Sequence, residues 1–175
     1  VLQLTRAGDA SMNETQYLDV ITRKTAILFG AACYGAATLS GEEEETRNIL
    51  REFGLNLGIA FQMIDDVLDY DGDAATMGKN VGDDLMEGKV TLPLIHTLLQ
   101  GNSAEQTAVR RAIIEKNSRQ LDQITAAVRR CGALDYTRGR AQHYHDMALA
   151  KLKQLPASSA RSAATKSKLP VVAPS

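Results

Sequence analysis

The chain of 175 residues has no tryptophan, and aromatic residues make up only 5% of it. Sheet proteins draw on aromatic and β-branched side chains, so this poverty argues against a β-sandwich or barrel. Cysteine is also scarce. Cys33 and Cys131 stand far apart without CxxC-type spacing, which argues against a disulfide framework and a cysteine-ligated zinc site. Two reduced thiols in a cytoplasmic protein is the reading that follows, because disulfides are rare in that compartment. No run of about 18 apolar residues is present to span a bilayer, and there is no secretory signal pattern. Neither sign of charge dominates, with 20 Lys+Arg against 21 Asp+Glu and a formal net charge of −1. Without a basic patch interleaved with aromatics, a nucleic-acid partner is not expected. The sequence opens at Val1 in mid-pattern rather than at a methionine, from which an N-terminal truncation is expected.

What is present is ordinary globular composition, 44% hydrophobic and 23% charged, in a chain long enough for one domain with a core. From about residue 13 to 39, Tyr17, Val20, Ile21, Lys24, Thr25, Leu28 and Phe29 recur at helical steps, with Asn13 or Ser11 available as a cap. The small residues that follow, Gly30 to Ala37, predict a close helix–helix contact. Ser40-Gly41 ends this helix. The acids Glu42 to Glu45 suit the start of the next one, where the helix dipole favours negative charge, better than they suit a metal site. That second helix is predicted over 43–70, with Gly54 and Gly58 on one face. Asp71-Gly72-Asp73 breaks it and a loop reaches about Glu87. Helical patterns resume over 92–100, 104–116, 118–131 and 133–155. No alternating strand pattern occurs, so the fold class is all-α. Residues 157–175, rich in Ser, Ala, Lys and Pro, read as a disordered tail.

The chemistry concentrates inside the second long helix. Gln62, Asp65, Asp66 and Asp69 fall on one stripe, while Met63, Ile64, Val67 and Leu68 are apolar enough to bury the rest of the turn. Carboxylates crowded on a largely buried face repel one another and lose hydration. A hard cation such as Mg²⁺, which takes oxygen ligands and bridges carboxylates to phosphates, would compensate them. The segment from Met77 to Pro93 then alternates glycines, acids and lysines. Its glycines allow close approach of a bulky anion, and Lys79 and Lys89 supply point charges for phosphate. An EF-hand reading from Asp69 fails, because Ala74 stands where the turn glycine belongs and Asn80 where the bidentate glutamate belongs. Gly78-Lys79 lacks the flanking residues of a P-loop.

The stretch from Gly58 to Leu94 resembles the second aspartate-rich region of the trans-isoprenyl diphosphate synthases. The runs from Gly78 to Leu85 and from Glu87 to Pro93 resemble the long-chain, polyprenyl branch of that family, most of all its bacterial octaprenyl-forming members. The likeness extends over residues 1–156, which it implies are the C-terminal part of the isoprenoid-synthase helical bundle. It implies a Mg²⁺-dependent prenyltransferase that condenses isopentenyl diphosphate onto an allylic prenyl diphosphate, as for quinone side chains, and that works as a homodimer. Carried onto this sequence, Asp65 would ligate Mg²⁺, with Asp66 and Asp69 acting through bound water. Lys24 and Lys79 would bind the allylic diphosphate. Lys89 and Asp83 match the pattern, Lys89 as a further diphosphate contact. Thr25 and Gln62 would line the reacting centre.

Two departures from the family pattern stand out. The family's first aspartate-rich motif and its arginine pair are not among these residues, so the chain alone is expected to be inactive. After Pro156 the family continues into another helix that often opens on Arg-Glu-Ala-Leu, whereas here the chain reads Ala160-Arg161-Ser162-Ala163. Codons for those residues, read one base later, can spell the family run, which suggests a frameshift near Ser158. A non-catalytic, prenyl-diphosphate-binding subunit of a heteromeric synthase is the alternative. A terpene cyclase would usually carry a different second metal motif. His96, His143 and His145 are read as helix-surface or interface residues, and the pairs Arg110-Arg111 and Arg129-Arg130 as solvated faces.

Overall fold

The computed structural model describes residues 8–71, 82–117 and 119–156. Among them every regular element is helical: α1 (Glu14–Ile21), a π-helical turn (Thr22–Ala26), α2 (Ile27–Leu39), α3 (Glu44–Asp71), α4 (Asp83–Met86), α5 (Leu92–Gln100), α6 (Ser103–Glu115), α7 (Leu121–Arg130) and α8 (Ala133–Leu152). No described helix is long and apolar enough to cross a membrane. Lys79 and the tail 157–175 with its suggested frameshift lie outside the described residues.

The chain enters α1 through Asn13. Its side chain accepts from the Gln16 backbone N–H, and the Gln16 side chain accepts from the Asn13 N–H, each at 3.0 Å. Two orphan donors are thereby satisfied reciprocally, as in a capping box. Ser11, the other candidate cap, instead bonds Asp9 at 2.5 Å. The single helix expected over 13–39 is continuous, but Thr22–Ala26 widens into a π turn. Steps of three and four residues do not distinguish one widened turn from a regular one, which is why periodicity missed it.

Two compact units divide the chain, Val1–Ile21 with Gln62–Arg140 and Thr22–Phe61 with Ala141–Ser175. In the first, the core gathers Tyr17 and Val20 of α1, Met63, Val67 and Tyr70 of α3, and Leu92, Ile113, Ile124 and Val128 of α5 to α7. Burying each such side chain is worth about 1.5–3 kcal/mol. Pro93 sits in the first turn of α5, where its missing N–H costs nothing. Asn102 caps α6 in a box with Glu105. At the end of α3, Asp71 pairs with Arg138, and with Arg129 at 3.7 Å. Arg130 pairs with Glu105, so Arg129 and Arg130 are exposed and ion-paired rather than merely solvated. His96 stacks on Tyr136 with centroids 4.4 Å apart, while His145 is buried in the second unit.

In the second unit, α2 and α3 meet through their small residues. A Cβ built on Gly54 would lie 2.5 Å from the Phe29 carbonyl oxygen, and one on Gly58 would lie 2.7 Å from the Ala26 Cα. A Cβ on Gly30 would lie 2.9 Å from Leu55 Cγ. The two backbones therefore touch, and the contact expected from the small-residue run is present. Phe29 and Phe61 flank it with ring centroids 5.6 Å apart.

Candidate metal centre

The acidic face of α3 in the first unit holds Gln62, Asp65, Asp66 and Asp69 on successive turns, of which Gln62, Asp66 and Asp69 are buried. A further acid is delivered by the chain that returns after α3. Gly82 has a φ of +82°, and its N–H donates to the Asp69 carbonyl at 3.1 Å. A side chain there would be strained by the left-handed backbone and would strike Leu121 Cδ1 at 2.4 Å. The next residues, Asp83 and Asp84, open the four-residue helix α4, in a stretch where the sequence suggests a loop.

α4 ends in a Schellman turn. Gly88, at φ +73°, donates to the Leu85 carbonyl at 2.9 Å, and Lys89 donates to the Asp84 carbonyl at 2.9 Å. This turn brings Lys89 back over Asp84. Its ammonium lies 2.6 Å from Asp84 Oδ1 and 2.7 Å from Glu87 Oε2.

Asp65, Asp66 and Asp84 each present a carboxylate oxygen within 4.8 Å of the others. Asp66 and Asp84 are only 3% and 7% exposed, so their charges are poorly hydrated. Asp66 is held from both sides: the Tyr17 hydroxyl donates to its Oδ2 at 2.6 Å, and the Gln62 amide donates to its Oδ1 at 3.1 Å. Gln62 also reaches Asp65 Oδ2 at 3.3 Å.

Burial pushes the Asp66 carboxyl up to about 7; the Tyr17 and Gln62 bonds oppose that rise, while Asp84 and Asp65 add to it. Burial raises the Tyr17 hydroxyl well above its ordinary range, with the neighbouring Asp66 charge next in importance. For Lys89, burial acts to lower the value, but its bonds to Asp84 and Glu87 outweigh it and keep the ammonium charged. Without a counter-ion, then, burial and the neighbouring acids favour a proton on Asp66, while Lys89 pairs with Asp84. A hard divalent cation would offset the charge of all three acids at once.

Of the residues singled out in the sequence, the structure brings together Asp65, Asp66 and Gln62, with Lys89 joined through Asp84. Asp69 is buried on the same helix, yet it is not one of the three acids whose oxygens converge. Lys24 and Thr25 belong to the second unit, where they lie on the π turn, with Lys24 exposed. Sequence reasoning missed two residues. Asp84 follows Asp83 in the run from Gly78 to Leu85, and its signal was the spacing of an acid five residues before Lys89. Tyr17 was read only as part of an apolar face.

The family model described as polyprenyl synthetase matches residues 1–131. Octaprenyl diphosphate synthase of Escherichia coli is 45% identical over 157 residues, covering 89% of this chain and 49% of that protein. All-trans-nonaprenyl-diphosphate synthase (geranyl-diphosphate specific) of Rhodobacter capsulatus is 46% identical over 163 residues, covering 93% of this chain and 50% of that protein. The chain thus spans about half the length of the curated relatives it matches. Among solved structures, a polyprenyl synthase from Caulobacter crescentus complexed with calcium and isoprenyl diphosphate superposes with a TM-score of 0.88 at 40% identity. The match covers 94% of this chain and 51% of that one.

Proposed function

Because this chain belongs to the polyprenyl synthetase family, we propose that it carries the allylic-diphosphate half of a long-chain trans-prenyl diphosphate synthase, with Mg²⁺ held by Asp65, Asp66 and Asp84. The observation that carries the reading is the convergence of three carboxylate oxygens within 4.8 Å on a buried face. Such an all-oxygen, anionic donor set suits a hard divalent cation. Asp69, buried one turn along α3, takes part through bound water.

When bound, Mg²⁺ supplies the positive charge that stabilises a departing diphosphate. The remaining tasks fall to the protein. Lys24 and Lys79 bind the allylic diphosphate, and Lys89 adds a charge while bracing Asp84. Thr25 and Gln62 line the carbon that becomes cationic as the diphosphate leaves, before the isopentenyl double bond attacks and a proton is lost. Apolar helices keep water from the cation. The Escherichia coli and Rhodobacter capsulatus relatives are named for octaprenyl and nonaprenyl products at almost equal identity. Long-chain synthesis, as for quinone side chains, is therefore proposed, with an octaprenyl product as its specific form. The family likeness adds a homodimer, which light scattering would test.

The direct test is calorimetric titration of the chain with farnesyl diphosphate, with and without Mg²⁺. Binding that requires Mg²⁺ and is lost in Asp65→Asn is the expected result. Metal-independent binding, or none, would overturn the reading. Retention of binding in a chain that never supports condensation with any partner would favour the non-catalytic subunit instead.

A further inference from the structure

The bond between Tyr17 and Asp66 crosses 49 positions of sequence and joins two side chains that are 2% and 3% exposed. It lies within the first unit, between α1 and the second half of α3. The Asp66 carboxylate stands beside two others, and repulsion from Asp65 and Asp84 favours rotation away from them. The terminal torsion of an aspartate is broad and does not resist that rotation by itself. The donors resist it: Tyr17 fixes one oxygen at 2.6 Å and Gln62 the other at 3.1 Å. Gln62 lies one turn before Asp66 on the same helix, so its bond to Asp66 is local to α3. Tyr17 comes from α1, and its ring is locked in the core.

We infer that Tyr17 is a positioning residue for the metal centre, its hydroxyl holding Asp66 in the orientation that converges with Asp65 and Asp84. The inference rests on the metal reading given under Proposed function. It goes beyond that reading by assigning α1 a part in the metal site. Groups of this kind, which bond a ligand rather than the metal, typically affect metal affinity about 10–100-fold.

The test is a double-mutant cycle on the full chain, with Mn²⁺ as the probe and free Mn²⁺ read by electron paramagnetic resonance. Tyr17→Phe keeps the ring and removes only the hydroxyl. The expected result is Mn²⁺ affinity weakened about 10–100-fold, with the far-ultraviolet circular dichroism and metal-free melting curve of a folded helical protein retained. In an Asp66→Asn background, the same substitution is expected to leave the residual Mn²⁺ affinity unchanged, because its target is gone. Unchanged affinity in Tyr17→Phe, or equal weakening in both backgrounds, would overturn the inference. Loss of the helical signal in Tyr17→Phe would also overturn it, by showing that the hydroxyl supports the fold. A wild-type chain that binds no Mn²⁺ would remove the metal reading and this inference together, and that failure needs no variant to be seen.

Discussion

Lys89 is tied to Asp84 twice, through its backbone N–H on the Asp84 carbonyl at 2.9 Å and through its ammonium on the Asp84 carboxylate at 2.6 Å. The first bond is part of the Schellman turn at Gly88, and it places the second within reach. A lysine read from the sequence as a diphosphate contact is thus also the counter-charge of an acid in the candidate metal centre. Replacing Lys89 by Gln leaves Asp84 without its ammonium. Because Asp84 is only 7% exposed while 24% of the Lys89 side chain is accessible, the loss of stability should be about 1–3 kcal/mol. Farnesyl diphosphate affinity at saturating Mg²⁺ should fall as well. Urea denaturation and calorimetry would measure the two effects. Unaltered prenyl-diphosphate affinity would show that Lys89 only braces Asp84.

The buried Asp66 makes the metal-free chain sensitive to pH. Its carboxyl is raised to about 7, against an ordinary unfolded value of about 4. Between those values the folded state binds the proton that the unfolded state has lost, so stability falls as pH rises. The penalty is absent below about pH 4 and complete above about 7, reaching at most about 4 kcal/mol. Asp66→Asn removes it. In thermal melts without metal, the variant should gain on the wild type from about pH 4 to about pH 7 and hold that gain at higher pH. A constant gap across that range would show that Asp66 does not titrate there. Mg²⁺ must displace the same proton, so its affinity should rise as pH passes through about 7.

Two glycines offer a pair of opposite outcomes. Gly58→Ala, in α3, places a methyl 2.7 Å from the Ala26 Cα, a backbone atom that cannot swing aside. Overpacking of this kind costs about 1–3 kcal/mol, more than the roughly 1 kcal/mol that alanine gains in a helix. Gly35, in α2, has open space where a Cβ would stand, with nothing within 4 Å. Gly35→Ala should therefore stabilise by up to about 1 kcal/mol. Urea denaturation of both variants should show shifts of opposite sign, and shifts of the same sign would contradict the contact.

Gly82→Ala tests the turn that delivers Asp84. The left-handed backbone costs a residue with a Cβ about 1–2 kcal/mol, and the contact with Leu121 adds to that. Mn²⁺ affinity should drop with stability, since Asp84 would no longer be held against Asp65 and Asp66. If stability drops alone, α4 keeps its place without the glycine.

Much of this was legible in the sequence because helical periodicity and punctuation act locally. α5 spans the expected 92–100 with Pro93 in its first turn, and Asn13 caps α1 as a short polar side chain does. The contact of α2 with α3 was visible as small residues on matching faces. Less legible were features set by distant parts of the chain. α4 is too short to show a period. The stripe on α3 put Asp69 beside Asp65 and Asp66, but the third converging oxygen comes from Asp84, which a turn at Gly82 brings in from outside the helix. Tyr17 carried the spacing of a core residue, and nothing local marks where its hydroxyl points.

The glycine crossing also bears on Lys24. That residue stands on the π turn two positions before Ala26, and Ala26 is fully buried against Gly58. Its mounting is close-packed, with the Cα of Ala26 and the Cβ atoms of Ala26 and Phe29 all set against Gly58. Lys24 is therefore a charge on a fixed post, and its working radius is set by the length of its own side chain alone. Lysine-to-arginine exchange there would change reach and hydrogen-bond shape without moving the base of the post.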